Sequence, residues 1–304
     1  VEQSSSLLHV LLLAVLHKLT GVEISLVGGY LGFGAALLGL WLFWQVLQFS
    51  QIQHKRTALL FTTISTSYAY WSLGGLETSI IALLLLGIIY QLLAFTKNQS
   101  LLKSLLTKSL PLSFCAFIWV RPEAYFVLIA ALLGFAILTR GQGFLSLKTL
   151  AVLGVLATVL FILTCGFRGY YFGQIFPQPV SAKASSFAIS KIGFGIGYIF
   201  WSAQLSLVLM LGFLLASAKR WAKKQPLGDN AVVLALAFAA SYTSFIVING
   251  GDWMGGGRFF APLIPLLLLI SINQIERFKK PALGLLLLAL LLLGDALFFA
   301  RHLA

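Results

Sequence analysis

Ten apolar segments separated by short polar connections constrain this chain more than any other feature of its sequence. A membrane-crossing helix needs about 20 mostly apolar residues. We therefore predict an all-α, polytopic membrane helix bundle of about ten to eleven transmembrane or half-spanning helices in one domain, residues 1–304. A further stretch, 6–17, is too short to span comfortably and is expected to be re-entrant or interfacial. The ten segments are 24–48, 57–73, 78–95, 109–120, 124–139, 148–166, 196–217, 231–248, 260–274 and 281–299.

The composition excludes the other structural classes. Apolar residues make up 60% of the chain and charged residues 10%, and the mean hydropathy is +0.97. A soluble domain has about 45–50% apolar and about 25% charged residues. The same figures exclude disordered, collagen-like, coiled-coil and disulfide-rich proteins. Cys115 and Cys165 lie far apart in apolar stretches, which favours small buried side chains.

The net charge of +13 indicates membrane orientation rather than nucleic-acid binding. Fourteen of the 21 basic residues lie in alternate connections, where Asp229 and Glu276 are the only acids. By the positive-inside rule this face is cytoplasmic. The connections 74–78, 121–123, 167–195 and 250–258 are therefore predicted on the outer face. The fourteen are Lys55, Arg56, Lys97, Lys103, Lys108, Arg140, Lys148, Lys219, Arg220, Lys223, Lys224, Arg277, Lys279 and Lys280.

Three acids on the predicted outer face form a candidate polar site. Glu77 and Asp252 each follow a Gly-Gly pair, and Glu123 follows Pro122. Charges at membrane depth normally face a protein interior or an aqueous cavity. For any one of these residues, the simpler interpretation is a helix-end side chain that reaches the interface. The whole set, however, predicts a cavity for an anionic ligand, because cations share the face: Arg121, Arg168, Lys183, Lys191 and Arg258.

Two outer connections have compositions that suit binding. Residues 250–258 contain five glycines together with Asp252, Trp253 and Arg258. Glycine backbone amides can surround an anion, and a simple turn would not need the other three residues. Residues 167–195 form the longest predicted connection, and aromatic side chains such as Tyr171 suit either sugar stacking or interfacial anchoring.

Other chemistries have weaker support. The four histidines and two cysteines have no metal-ligand spacing. The carboxylates could bind a divalent cation, although nothing in their spacing demands one. The glycines of 193–197 open an apolar segment without a preceding strand, so we interpret them as packing residues.

These motifs together resemble the membrane-embedded glycosyltransferases of the GT-C class, which use polyprenyl-phosphate sugars as donors. The resemblance is nearest to the mycobacterial-type terminal β-(1→2)-arabinofuranosyltransferase group. It rests on Gly-Leu-Glu-Thr at 75–78, Arg-Pro-Glu at 121–123, a loose Tyr-Tyr-x-Gly to Ala-Lys match at 170–183, and Gly-Gly-Asp-x-Met followed by Arg258 and Pro262. The four elements occur in the same order as in that family and extend through most of the chain.

The resemblance implies a protein of the bacterial inner membrane that transfers a sugar on the extracytoplasmic face of that membrane. The acceptor would be a hydroxyl of a glycan, lipid or protein, and membrane lipid would surround the enzyme. The family's catalytic aspartate lies in the outer loop after its first helix, which here corresponds to a position upstream of Val1. No Asp precedes Asp229, so the chain is expected to be a fragment or a truncated relative, with Asp252 as a weak substitute base.

Roles for the site residues follow from this chemistry. Cations stabilise the departing phosphate, for which Arg121, Lys183 and Arg258 are candidates. Asp252 would bind hydroxyls or orient Arg258. Glu77 and Glu123 either bind hydroxyls or pair with a neighbouring Arg. Tyr171 and Trp253 complete the predicted substrate-binding set.

Two other functions fit part of the pattern. A transporter or flippase for a lipid-linked or anionic substrate also has glycine-interrupted segments with charges, but it favours sites near the midplane and repeated halves. A noncatalytic subunit of a glycan-assembly complex would fit the missing aspartate, but would leave the retained charges unexplained.

Overall fold

The computed structural model describes residues 4–94, 109–139, 145–184, 189–203, 229–252, 254–277 and 281–303. These residues contain thirteen α-helices and a 3-10 turn at Ala261–Leu263, and no strand, so the predicted all-α class is confirmed. In chain order the helices are α1 Leu7–Thr20, α2 Ile24–Phe49, α3 Lys55–Ile64, α4 Thr66–Leu73, α5 Thr78–Ala94, α6 Ser109–Val120, α7 Ala124–Thr139, α8 Leu147–Phe172, α9 Gln178–Ala184, α10 Ile189–Ala203, α11 Asn230–Asn249, α12 Ile264–Ile275 and α13 Pro281–Leu303.

Three of the described helices are long and apolar enough to cross a membrane: α2, α8 and α11. Their 26, 26 and 20 residues correspond to about 39, 39 and 30 Å at 1.5 Å per residue, against a hydrocarbon core of about 30 Å. The pair α4 and α5 meets the same test as a broken span, bent by 115°. Six other apolar helices are shorter, and the count of ten to eleven spans stays a prediction.

The helices pack around one continuous apolar core. It is centred on α2 against α5 and α7 against α11, and includes Phe43, Leu85, Phe135 and Phe238, which are fully buried. Among the three long helices α11 is the most buried and α8 the least. The bundle therefore has α11 near its centre and α8 at its periphery.

The predicted span 57–73 is wrong, because two helices, α3 and α4, meet at Ser65. The hydroxyls of Thr62 and Thr63 donate hydrogen bonds to the carbonyls of Ala58 and Leu60 in their own helix. Such side chains compete with the helical backbone pattern and interrupt helices. Five hydroxyl residues within 62–67 thus break a segment that apolarity alone had joined.

The predicted long connection 167–195 is also wrong. Helix α8 continues to Phe172, and α9 and α10 occupy much of the rest. Aromatic residues extend α8 past its expected end at 166, until Gly173 adopts a left-handed conformation at φ 73° and its N–H caps the helix. The predicted span 196–217 begins earlier, at Ile189, and its residues 204–217 lie outside the described residues.

The bundle has two ends with different chemistry. Three helices run from one end of the bundle to the other: α2, α11 and α12. At the first, which we call the basic end, the backbone N–H of Gln51 donates to Asp229 Oδ2 at 2.6 Å, and the N–H of His54 donates to Glu276 Oε1 at 2.7 Å. At the opposite end, which we call the site end, the connections 74–77, 121–123 and 250–260 meet.

Candidate functional site

Glu77 is held at the site end by a sharp turn between α4 and α5. Gly75 adopts a left-handed conformation at φ 66°, which glycine reaches without steric cost. Helix α2 approaches this turn closely, since a Cβ added to Gly32 would lie 2.7 Å from the carbonyl oxygen of Ser72. The turn therefore fixes the Glu77 side chain, which is only 8% exposed, at the start of α5.

Arg121 is the central cation of the site. It follows α6, and its Nη2 lies 2.6 Å from Glu77 Oε1 while its Nη1 lies 3.4 Å from Glu123 Oε1. Nη1 also donates a long hydrogen bond of 3.5 Å to Ser5 Oγ, just before α1. One guanidinium thus joins three separate elements of the fold.

The glycine-rich connection brings a second ion pair to the same place. Four glycines of this connection have positive φ: Gly250, Gly251, Gly256 and Gly257. In the same connection, Arg258 Nε lies 2.6 Å from Asp252 Oδ2. The Asp252 side chain is fully buried. Despite the short distance, this contact lacks the angle of a hydrogen bond, so among the described residues both Asp252 oxygens have no hydrogen-bond donor.

Phe259 connects the two ion pairs. The Cζ atoms of Arg121 and Arg258 each lie 4.9 Å from the centroid of its ring. Cations at this distance are attracted to an aromatic ring by about 0.5–2 kcal/mol, more where water is excluded. We call the five charged residues and this ring the Arg–Phe cluster: Glu77, Arg121, Glu123, Asp252, Arg258 and Phe259.

Two helices support the glycine-rich connection. Trp71 Nε1 on α4 donates to the carbonyl of Gly256 at 2.8 Å, and the N–H of Phe259 donates to the Tyr198 hydroxyl on α10 at 3.0 Å. A Cβ on Gly251 would lie 2.5 Å from Tyr198 Cβ. The connection is therefore an ordered part of the site.

The electrostatics of the cluster follow from its burial. Glu77 and Arg121 lie in interhelical connections, and burial disfavours the charged form of each. The opposite charges outweigh this effect: Arg121 holds the pKa of Glu77 below its usual range, while Glu123 and Glu77 raise the pKa of Arg121. Three carboxylates and two guanidiniums give the cluster a formal charge of −1.

Histidine 9 is a residue of this region that the sequence analysis did not select. It lies on α1, is 6% exposed, and interacts electrostatically with Glu77. Its Nε2 atom and the Oγ atom of Ser6 are buried without a hydrogen-bond partner among the described residues. The signal that could have identified His9 was an imidazole within the otherwise apolar run 7–16.

The remaining predicted site residues lie outside the Arg–Phe cluster or outside the residues that the structure describes. The Tyr171 side chain is 69% exposed on α8 and stacks on Phe167. The Lys183 side chain and Trp253 lie outside the described residues. Two further cations were predicted on this face. Arg168 is a buried residue of α8. The backbone carbonyl and Cβ of Lys191 lie close to Gly250.

The arrangement offers an anionic, hydroxyl-bearing ligand both kinds of partner it needs. Guanidinium groups donate charge-assisted hydrogen bonds to phosphate, and buried carboxylate oxygens accept from hydroxyls. Within the described ranges, no three His, Cys, Asp or Glu side chains are grouped so as to hold a metal ion.

Comparison with known proteins adds no assignment: no family model, curated protein or solved structure matches this chain.

Proposed function

We propose that this protein is an integral membrane glycosyltransferase that moves a sugar from a polyprenyl-phosphate donor to a hydroxyl of a glycan, lipid or protein. The observation that supports this proposal best is the Arg–Phe cluster itself. Two guanidiniums each lie 4.9 Å from the centroid of one ring, and three carboxylates pair with them at one end of an apolar bundle. Sugar transfer needs cations at the departing phosphate and an acceptor for the hydroxyl proton.

Arg258 and Arg121 take the cationic role in this proposal. Arg258 is 12% exposed and Arg121 is 10% exposed as side chains, so both would meet the phosphate in a poorly hydrated environment. Electrostatic stabilisation is stronger where water is excluded. Lys183 is the third candidate cation, by resemblance alone.

The carboxylates divide into two roles. Glu77 and Glu123 both contact Arg121, which favours positioning of that guanidinium over direct hydroxyl binding. Asp252 has two acceptor oxygens that lack donors among the described residues, so sugar or acceptor hydroxyls would satisfy them. Asp252 is also a weak candidate for the general base that accepts the hydroxyl proton.

The location of the cluster favours this function over transport. A transport site is expected near the middle of the membrane-spanning helices. The charges here belong to three interhelical connections at one end of the bundle. With the basic end in the cytoplasm, as the positive-inside rule predicts, the cluster would face the outside of a multi-pass inner-membrane protein.

Donor binding by the purified protein in lipid nanodiscs tests this proposal. A panel of polyprenyl-phosphate sugars is titrated against the wild type, Asp252→Asn and Arg258→Gln, and bound donor is counted by scintillation proximity. We expect saturable binding that weakens at least tenfold in both variants, because each loses a buried charge-assisted contact worth about 1.5–3 kcal/mol.

Two exposed residues supply matched controls. Glu23→Gln removes a negative charge, as Asp252→Asn does, and Lys148→Gln removes a positive charge, as Arg258→Gln does. Both control positions are on the surface, so both control variants should bind like the wild type. Variants are compared only if they keep the monodisperse elution of the wild type. Unchanged donor binding in both Asp252→Asn and Arg258→Gln would refute the site. Binding without transfer to any acceptor would favour a noncatalytic subunit.

A further inference from the structure

A cleft between α2 and α3 lies away from the Arg–Phe cluster. Its volume is about 570 Å³, within the range of about 300–1,000 Å³ typical of small-molecule sites. Its walls are mostly apolar, and its polar residues are Arg56 and Thr63. The lining residues are Leu40, Trp41, Trp44, Arg56, Leu59, Leu60 and Thr63.

The position of this cleft separates it from the site end. Helix α2 contacts the Glu77 turn at Gly28, and Leu40 lies twelve residues further along the helix. At 1.5 Å per residue this is about 18 Å along the axis. Arg56 is in the first turn of α3, immediately after the connection that forms the basic end. The cleft therefore opens in the half of the bundle near the basic end.

The charges around the cleft favour an anion. The acids of the basic end are engaged by the backbone: Glu276 accepts from the N–H groups of Gln53 and His54, and Asp229 accepts from that of Gln51. The cations Lys55 and Arg56 follow directly in the chain. The Arg56 side chain is exposed at the cleft, and it provides a positive charge beside apolar walls.

The walls of the cleft suit an acyl chain. Trp41 is 57% exposed and Leu60 is 56% exposed, so both present apolar surface outward instead of packing in the core. Tryptophan combines a large apolar body with one N–H donor, and it is enriched where acyl chains meet headgroups. Apolar walls with a cation at one end match an anionic amphiphile.

We propose that the cleft between α2 and α3 is a binding site for an anionic phospholipid of the leaflet at the basic end. One acyl chain lies along Leu40, Trp41 and Leu60, and the lipid phosphate contacts Arg56. This site is separate from the donor site and does not rest on the glycosyltransferase function. The polyprenyl donor is the alternative occupant, and it is distinguished by competition.

Quenching of tryptophan fluorescence by brominated lipids tests the proposal, because two tryptophans line the cleft. The protein is reconstituted with increasing fractions of brominated phosphatidylglycerol or brominated phosphatidylcholine. We expect half-maximal quenching at about fivefold lower fractions of phosphatidylglycerol, the preference that one basic residue provides at an anionic surface. The double variant Trp41→Phe/Trp44→Phe should lose this preferential component.

Variants of the cation complete the test. Arg56→Gln should abolish the preference for phosphatidylglycerol, while Arg56→Lys and the control Lys148→Gln should keep it. Equal quenching by both lipids would overturn the proposal, as would a preference that survives Arg56→Gln or the loss of both tryptophans. Relief of quenching by stoichiometric undecaprenyl phosphate would also overturn it, since the cleft would then be a donor site.

Discussion

Replacing Arg121 by Met should destabilise the protein far more than the loss of an ordinary surface charge. The Arg121 guanidinium is 10% exposed, and it lies 2.6 Å from Glu77 and 3.4 Å from Glu123. Its removal leaves two carboxylates buried without their counter-ion, which costs about 3–5 kcal/mol. An exposed ion pair contributes only about 0–1 kcal/mol. The free energy of unfolding, measured by circular dichroism during transfer from mild detergent to dodecyl sulfate, distinguishes a buried ion pair from an exposed one.

A double-mutant cycle with Glu77→Gln isolates the direct interaction. The single Glu77→Gln change should cost less than Arg121→Met, because Arg121 retains Glu123, and the coupling energy between the two changes should be about 1–3 kcal/mol. Glu23→Gln, at an exposed position, is the control and should change stability by less than about 0.5 kcal/mol. A cost below about 1 kcal/mol for Arg121→Met, or a coupling energy near zero, would refute the buried cluster.

The ion pair between Glu77 and Arg121 predicts that the free energy of unfolding depends on pH. The pKa of Glu77 is lower in the folded protein than its value of 4.5 without a partner, so its ionised form stabilises the fold. The advantage of the wild type over Glu77→Gln is expected to be full at pH 7 and to decline as the pH falls below about 4.5. An advantage that instead grows on acidification would contradict the sign of this interaction.

Three further changes test the supports of the fold, each by thermal melting in detergent. Gly195→Ala should lower the melting temperature, because a Cβ there meets the backbone of α11, whereas Gly197→Ala has open space and should be neutral or stabilising; equal effects would contradict this packing. Trp71→Phe loses the hydrogen bond to Gly256 and should cost about 0.5–1.5 kcal/mol, and an unchanged melting temperature would argue against the bond. Asp229→Ala removes the N-cap of α11 and the acceptor of the Gln51 N–H, and should cost about 2–3 kcal/mol, whereas Asp229→Asn should retain most of the cap.

The gathering of the charged residues at one end could be predicted from the sequence. Glu77, Glu123 and Asp252 each follow glycine or proline between apolar segments, so they belong to connections, and alternation of the segments assigns these connections to one face. The structure brings all three acids together with Arg121 and Arg258. The side of the membrane that this end faces stays a prediction.

The partners within the cluster could not be predicted, because they depend on packing between distant helices. Nothing in the sequence distinguishes Phe259 from the other 24 phenylalanines, yet both guanidiniums lie 4.9 Å from the centroid of its ring. His9 was assigned to a short apolar stretch without a role. Its burial near Glu77 follows from the docking of α1, which local pattern does not encode.

In two segments of this chain, polarity does not mark a loop and apolarity does not mark a continuous helix. Arg168 and the aromatic residues of 167–172 suggested a connection, but they continue α8 up to Gly173. Conversely, the apolar stretch 57–73 suggested one helix, although hydroxyl residues interrupt it at Ser65. In both cases hydrogen bonding of the local backbone, which hydropathy does not measure, determined where the helix ended.

The most direct test of the central claim is to map where a polyprenyl-phosphate sugar binds. A donor analogue with a photoreactive group on its sugar is cross-linked to the protein in nanodiscs, and the labelled peptides are identified by mass spectrometry. The proposed function predicts labels within 71–77, 121–123 and 252–260, competed by unmodified donor. Labels confined to the cleft between α2 and α3, or to the middle of the spanning helices, would contradict the proposal that the Arg–Phe cluster binds the donor.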